Sequence, residues 1–121
     1  MHKQLIISGV INAFIAVALG AFAAHGLKHS LGTYELGIWQ TAVDYQMTHA
    51  LGLILIGLLA NSLKLNLNKP GWVMFCGIIL FSGSLYVLSL SGVKALGMVT
   101  PIGGVCFLVA WAWLAVLVYR N

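Results

Sequence analysis

The sequence predicts an all-α integral membrane protein, a four-helix antiparallel up-down bundle that forms one membrane domain over residues 1–121. Three observations carry this reading. Four apolar runs of roughly twenty residues, at 5–24, 42–63, 72–91 and 99–119, each have the length needed to cross a hydrocarbon core about 30 Å thick. Hydrophobic residues make up 61% of the chain and charged residues 7%, with a mean hydropathy of +1.02, whereas about a quarter of a soluble domain is charged. The polar connections between the runs are short, so consecutive helices must run antiparallel. A bilayer offers backbone groups no water, and each run therefore closes its own hydrogen bonds as a helix.

In the first run Gly9, Ala13, Ala16, Gly20 and Ala24 recur every three or four residues, a stripe along which another helix can approach closely. Asn12 borders that stripe near the middle of the bilayer, where its amide needs a partner on a neighbouring helix. Lys3 ahead of an apolar stretch with Ala21-Phe22-Ala23 also has the form of a signal peptide. A run of about twenty residues exceeds the usual signal core of about 7 to 15, and the small residues have a use in packing, so the run is read as a span.

The segment from His25 to Trp39 is polar and punctuated by Gly26, Gly32 and Gly37, which marks a loop that re-enters helix at Thr33. Thr33 is the expected N-cap, Glu35 lies in the first turn, and the helix to Thr41 is interfacial before it descends. The loop from Leu63 to Gly71 holds Lys64, Asn66, Asn68, Lys69 and Pro70 and reads as a plain turn. A third short loop runs from Gly92 to Met98, after which Thr100-Pro101 reads as N-cap and N1 of the last helix. The two halves share no residue pattern, so an inverted-repeat transporter is not supported.

The net charge of +4 reports orientation. Lys3, Lys64, Lys69 and Arg120 fall on one side and Lys28 and Lys94 on the other, which puts both termini in the cytoplasm. Trp72 and Tyr119 then anchor the inner interface, and Tyr34 and Trp39 the outer one. No basic cluster with interleaved aromatics points to nucleic acid; the expected partners are the lipid bilayer and a second copy of the chain. Cys76 and Cys106 lie inside spans at depths ~12 Å apart, too far for a disulfide, and read as small core residues.

The second run is the anomaly. Gln40, Thr41, Asp44, Tyr45, Thr48 and His49 occupy about half of its circumference at 100° per residue, which is expected to turn toward the sister helices. Gln46 falls outside this arc and needs a second interface. With Ala42 as the boundary, Asp44 is ~3 Å deep, Gln46 ~6 Å and His49 ~10 Å, while Tyr86, Ser84 and Ser82 come to ~7, ~10 and ~13 Å on the third helix. Gly103 and Gly104 on the last helix stand at similar depth. The expected site is therefore a hydrated polar pocket in the outer half, built from His25, Gln40, Asp44, Tyr45, Gln46, His49, Ser82, Ser84 and Tyr86. An ionisable residue inside a membrane is a functional hypothesis by default; interhelical hydrogen bonding is the competing use of the same residues.

No metal, haem or other cofactor is expected. His25 and His49 differ in depth by roughly 10 Å, whereas ligand atoms must stand ~2 Å from a shared ion. Ser82 and Ser84 flank Gly83 near the depth of His49, but a serine in a membrane helix ordinarily bonds its own backbone or a neighbour. No catalytic residue is assigned.

Four ordered motifs carry a resemblance over nearly the whole chain. They are Gly20-Ala21-Phe22-Ala23-Ala24-His25-Gly26-Leu27; Trp39-Gln40-Thr41-Ala42 with Tyr45-Gln46 and His49-Ala50-Leu51; Leu80-Phe81-Ser82-Gly83-Ser84-Leu85-Tyr86; and Thr100-Pro101-Ile102-Gly103-Gly104 with Trp111. The chain resembles the YgdD/YwdK family of small bacterial inner-membrane proteins of unassigned function, which has a similar small transmembrane protein in animals. The resemblance implies four helices, a plasma-membrane location and a retained first span; it supplies no reaction or ligand. Ala23 and Ala110 stand where the family commonly has Gly.

The functional expectation is a non-enzymatic structural or accessory membrane protein that self-associates, because the Gly and Ala stripes exceed the needs of one small bundle. The alternative is a carrier or channel for a proton, ion or small polar molecule, with Asp44 and His49 as the titrating pair. A conduction path needs polar or small lining through the inner half, where the chain offers only Asn12, Gly57 and Asn61.

Overall fold

The computed structural model describes residues 2–121. Four transmembrane helices follow one another up and down. The first is α1 (Lys3–Phe22), prolonged by a wider π-turn over Ala23–Leu27; the second is α2 (Thr33–Leu63). The third comprises α3 (Asn68–Ile78), a π-turn (Ile79–Gly83) and α4 (Ser84–Ser91), and the fourth is α5 (Thr100–Tyr119), entered through a 3₁₀ turn over Lys94–Met98. Both termini and the 64–67 loop lie at one end, termed the terminal end; the 28–32 and 92–98 connections lie at the distal end.

Helix boundaries depart from the apolar runs wherever a polar interfacial residue still closes a turn. α3 begins at Asn68, so Pro70 sits in its first turn, where a missing N–H costs nothing. The chain between α2 and α3 turns at Lys64 in the left-handed region, φ 56°. Neither expected cap acts as one. Gly32 is the N-cap of α2 and Thr33 its first residue, and Val99 precedes α5 while Thr100 turns its hydroxyl inward.

α2 and the third helix form the central pair; α1 packs mainly on α2 and α5 mainly on α3 and its π-turn, at opposite corners. Small residues decide where the helices touch. A Cβ on Gly9 would come 2.6 Å from the Ala50 carbonyl oxygen, and one on Gly103 would strike the Phe81 backbone. Gly20 faces Val43, and Ala16 is fully buried. Ala13 is only half-buried, and Gly104 has a looser fit, 3.9 Å from the Phe81 ring. Ala23 and Ala110 are both buried, so their methyls fill the interfaces rather than holding them open.

Toward the terminal end, Leu5, Leu53, Ile56, Met74, Ile78, Phe107 and Leu114 form a continuous apolar core. Its loop side is closed by His2, which is buried and whose Nε2 accepts the Leu67 backbone N–H at 3.0 Å. A smaller cluster of Ala23, Leu27, Trp39 and Val43 closes the distal end. Trp39 is not an interfacial anchor. It is 3% exposed, donates from Nε1 to the Leu19 carbonyl at 2.9 Å, and meets the Tyr86 ring edge-on.

Candidate functional site

The buried face of α2 carries Ala42, Ala50, Gly52, Gly57 and Ala60 together with Gln46 and His49. That face is set by close approach: in a membrane the small residues define the contact, because lipid is as apolar as leucine and gives helices no hydrophobic reason to associate. The opposite face therefore turns outward, and it carries Gln40, Thr41, Asp44 and Thr48, all exposed. The expectation that the polar arc faces the sister helices is overturned for these residues. Polarity was taken as the sign of burial, whereas the small side chains fix the contact. His25 is also exposed, on the π-turn at the distal end.

Depth changes as well. Val43 lies against Gly20, four residues inside Ala24, and Gln46 bonds to Asn12 near the middle of α1. Asp44 thus stands roughly 6–9 Å inside the apolar boundary and Gln46 deeper still. The membrane-level part of α2 begins several residues before Ala42, which is why both lie deeper than the apolar run implied.

Instead of one hydrated pocket, the inward polar groups form three closed arrangements. Tyr86 Oη donates to Gln46 Oε1 at 2.7 Å, Gln46 Nε2 donates to Asn12 Oδ1 at 3.1 Å, and Asn12 Nδ2 donates to the Ser8 carbonyl at 2.9 Å. This relay ties three helices, and it supplies the second interface that Gln46 required. Ser82 Oγ donates to the Ala42 carbonyl at 2.8 Å, and Ser84 Oγ pairs with Thr100 Oγ1 at 2.6 Å, so each serine stitches the third helix to a different neighbour. Serines two apart point to opposite partners because the π-turn lies between them and the rest of α3.

His49 is the third arrangement. The Trp111 indole has only a hydrogen to give, so its Nε1–H donates to His49 Nε2 at 3.1 Å. Nδ1 then carries the proton and donates to the Tyr45 carbonyl at 2.8 Å. The ring stacks on Phe107 with centroids 3.6 Å apart and planes 7° apart. Both nitrogens of a neutral imidazole are engaged, and the ring is 4% exposed as a residue. Trp111, Phe107 and Thr100 were not assigned to the site from sequence. The signal was an indole at matching depth on the last helix, since a buried Trp N–H requires an acceptor.

Tyr45, partly exposed at 43%, borders the outward stripe. With His49, Phe81, Phe107 and Trp111 it lines a lateral groove of about 450 Å³ between α2 and α5. On the stripe, Gln40 Nε2 donates to Asp44 Oδ1 at 2.9 Å and Thr41 Oγ1 to the Gly37 carbonyl at 3.0 Å. These bonds stay within α2 and leave the second carboxylate oxygen of Asp44 facing outward. Among the described residues no three His, Cys, Asp or Glu side chains come together at ligand spacing, and both cysteines are free.

The family model described as "Protein of unknown function (DUF423)" matches residues 19–104. The chain belongs to the DUF423 family. The DUF423 match spans the distal half of α1, all of α2 and the third helix, and the start of α5, and so includes every residue of the three arrangements except Ser8, Asn12, Phe107 and Trp111. Among curated proteins, the UPF0382 membrane protein YwdK of Bacillus subtilis is 48% identical over 116 residues, 94% of each chain. A UPF0382 membrane protein of Staphylococcus aureus (strain bovine RF122 / ET3-1) is 46% identical over 118 residues, 98% of this chain and 97% of the relative. One from Staphylococcus epidermidis is 49% identical over 114 residues, 94% and 93% respectively. No solved structure matches the chain. This DUF423 protein is accordingly a small transmembrane protein of an uncharacterised membrane-protein family.

Proposed function

We propose that the protein is a non-enzymatic, non-conducting accessory component of the bacterial plasma membrane, with both termini cytoplasmic, that works by lateral association through the outward stripe of α2. One observation carries the reading: Gln40, Thr41, Asp44 and Thr48 face away from their own bundle at bilayer depth. An Asp near the centre of a membrane helix costs about 2.5–3.5 kcal/mol by insertion scales, less toward the interface. Covering the stripe with the same stripe of a second copy removes most of that cost. The surface is self-complementary, since Gln40 and the two threonines supply donors and Asp44 an acceptor.

A carrier reading needs a polar route past His49. The terminal half offers a core of Leu, Ile, Met and Phe instead, and His49 has both nitrogens committed. These features favour the closed bundle.

Thr48→Cys and Thr41→Cys, in a Cys76→Ala/Cys106→Ala background, test the contact face in native membranes. Cross-linked dimers at both positions, absent at the lipid-facing control Phe14→Cys, are the expected result, and Asp44→Leu should lower the dimer yield. Position 48 quenched by lipid-borne nitroxide as strongly as position 14, with no cross-link, removes the proposal. Proteoliposomes provide the second arm: proton or ion flux that Asp44→Asn and His49→Ala abolish would replace it with the carrier reading.

A further inference from the structure

The distal end holds a feature that the α2 stripe does not use. The N-terminal turns of α2, the last turn of α4 and the 3₁₀ turn enclose a cavity of about 340 Å³, lined by Tyr34, Glu35, Ile38, Leu88 and Lys94. That volume is in the range that holds small ligands. Ser89 Oγ donates to the Glu35 backbone carbonyl at 2.5 Å, and Gly92 at φ 71° turns the chain back over the opening, so the walls are tied to each other.

Three properties of the cavity point to its occupant. Its floor is apolar, Ile38 and Leu88, and its rim is charged with both signs, Glu35 and Lys94. Among the described residues neither charged group takes part in an ion pair or side-chain hydrogen bond, although both line one space. The cavity also lies level with the lipid headgroups, because Ile38 marks where α2 enters the apolar layer and Glu35 stands about one turn, ~4–5 Å, above it.

We infer that this cavity binds the headgroup of a phospholipid bearing a primary ammonium, with its phosphate on Lys94, its ammonium on Glu35 and its acyl chain leaving along Ile38 and Leu88. A lysine is a point charge suited to phosphate, and a carboxylate accepts hydrogen bonds from an N–H ammonium. Choline has the same charge but no N–H, so it cannot donate to Glu35. Glycerol headgroups are anionic and leave Glu35 unpaired beside a like charge. The site thus selects against both by different means. The inference stands independently of self-association, since it uses another face of α2.

Native mass spectrometry of the full chain released from detergent, titrated with dioleoyl phosphatidylethanolamine, phosphatidylcholine and phosphatidylglycerol, tests it. The parent protein should retain the ethanolamine lipid about three- to ten-fold better than either competitor, the span expected of one hydrogen bond to a charged group at a wet interface. Glu35→Gln should erase the preference over phosphatidylglycerol, and Lys94→Gln should lower retention of all three. Water-soluble glycerophosphoethanolamine distinguishes the source, and at millimolar concentration it should leave the lipid adduct in place. Equal retention of the three lipids by the parent, an unchanged preference in Glu35→Gln, or displacement by the soluble headgroup would each overturn the inference. Both positions are at the surface, and an unaltered circular dichroism spectrum in each variant verifies the fold.

Discussion

Replacing Gln46 by Leu cuts the relay between α1, α2 and α4 at its middle. The substitution removes the Gln46–Asn12 bond at 3.1 Å and the Tyr86–Gln46 bond at 2.7 Å, in a residue 5% exposed. Interhelical hydrogen bonds in membranes average about 0.6 kcal/mol each, so the lost pairs alone contribute about 1.2 kcal/mol. Asn12 Oδ1 and the Tyr86 hydroxyl are then left without partners in a dry interior, at about 1–3 kcal/mol apiece. Leu fills the aliphatic part of the site, so no cavity term is added. The expected destabilisation is roughly 3–5 kcal/mol, read by reversible unfolding in mixed SDS and nonionic micelles. The triple variant Asn12→Leu/Gln46→Leu/Tyr86→Phe leaves no orphaned group in this relay and should recover more than half of the loss, because removing both partners of a buried bond is close to neutral. A Gln46→Leu cost below about 0.5 kcal/mol, or a triple variant less stable than the single one, would refute the reasoning that these groups are buried and mutually satisfied.

Glycine contacts separate in the same assay: Gly103→Ala forces a methyl onto the Phe81 backbone and should cost about 1–3 kcal/mol, whereas Gly104→Ala, with 3.9 Å of clearance, should stay within about 0.5 kcal/mol of the parent. Nitrogen-15 NMR of the imidazoles should find His49 protonated at Nδ1 with Nε2 accepting, and Trp111→Phe should shift the Nε2 resonance without changing the tautomer, since the Tyr45 carbonyl remains. His2→Ala removes the acceptor of the Leu67 amide, so hydrogen exchange at Leu67 should accelerate by ten-fold or more, on the order of the 1–3 kcal/mol of an orphaned buried donor, while Leu53 in the mid-bundle is unchanged.

The four spans were legible because hydropathy and length act on the whole helix at once, and a misplaced residue hardly alters either. Their ends were not. Apolar runs stop at the headgroups, but Asn68, Lys69 and Pro70 already close turns of α3, and the helical part of α2 begins nine residues before Ala42. Asn12 and Gln46 were correctly singled out as groups in need of partners, and each satisfies the other. The rest of the α2 assignment went wrong through one step. The angular grouping of Gln40, Asp44 and Thr48 on one side was sound, but the direction of that side was inferred from polarity. Ala42, Ala50, Gly57 and Ala60 lie opposite, and their small size was the better guide to the contact. Trp39 illustrates the same point: a ring expected among the headgroups belongs to the core because Leu19 offers its indole a carbonyl.

The π-turn at Ile79–Gly83 also constrains how the third helix can change over generations. Gly83 has open space around the position of a missing side chain, so many residues would be accommodated there. Losing the residue altogether is a different event. Shortening the chain by one at this place would tighten the turn to an ordinary helix and rotate everything beyond it by about 100°. Tyr86 would swing off Gln46, and Ser89 would leave the Glu35 carbonyl. The segment is therefore tolerant in spelling and intolerant in length, and single-residue deletions between Ile79 and Gly83 should be far more damaging than any exchange at position 83.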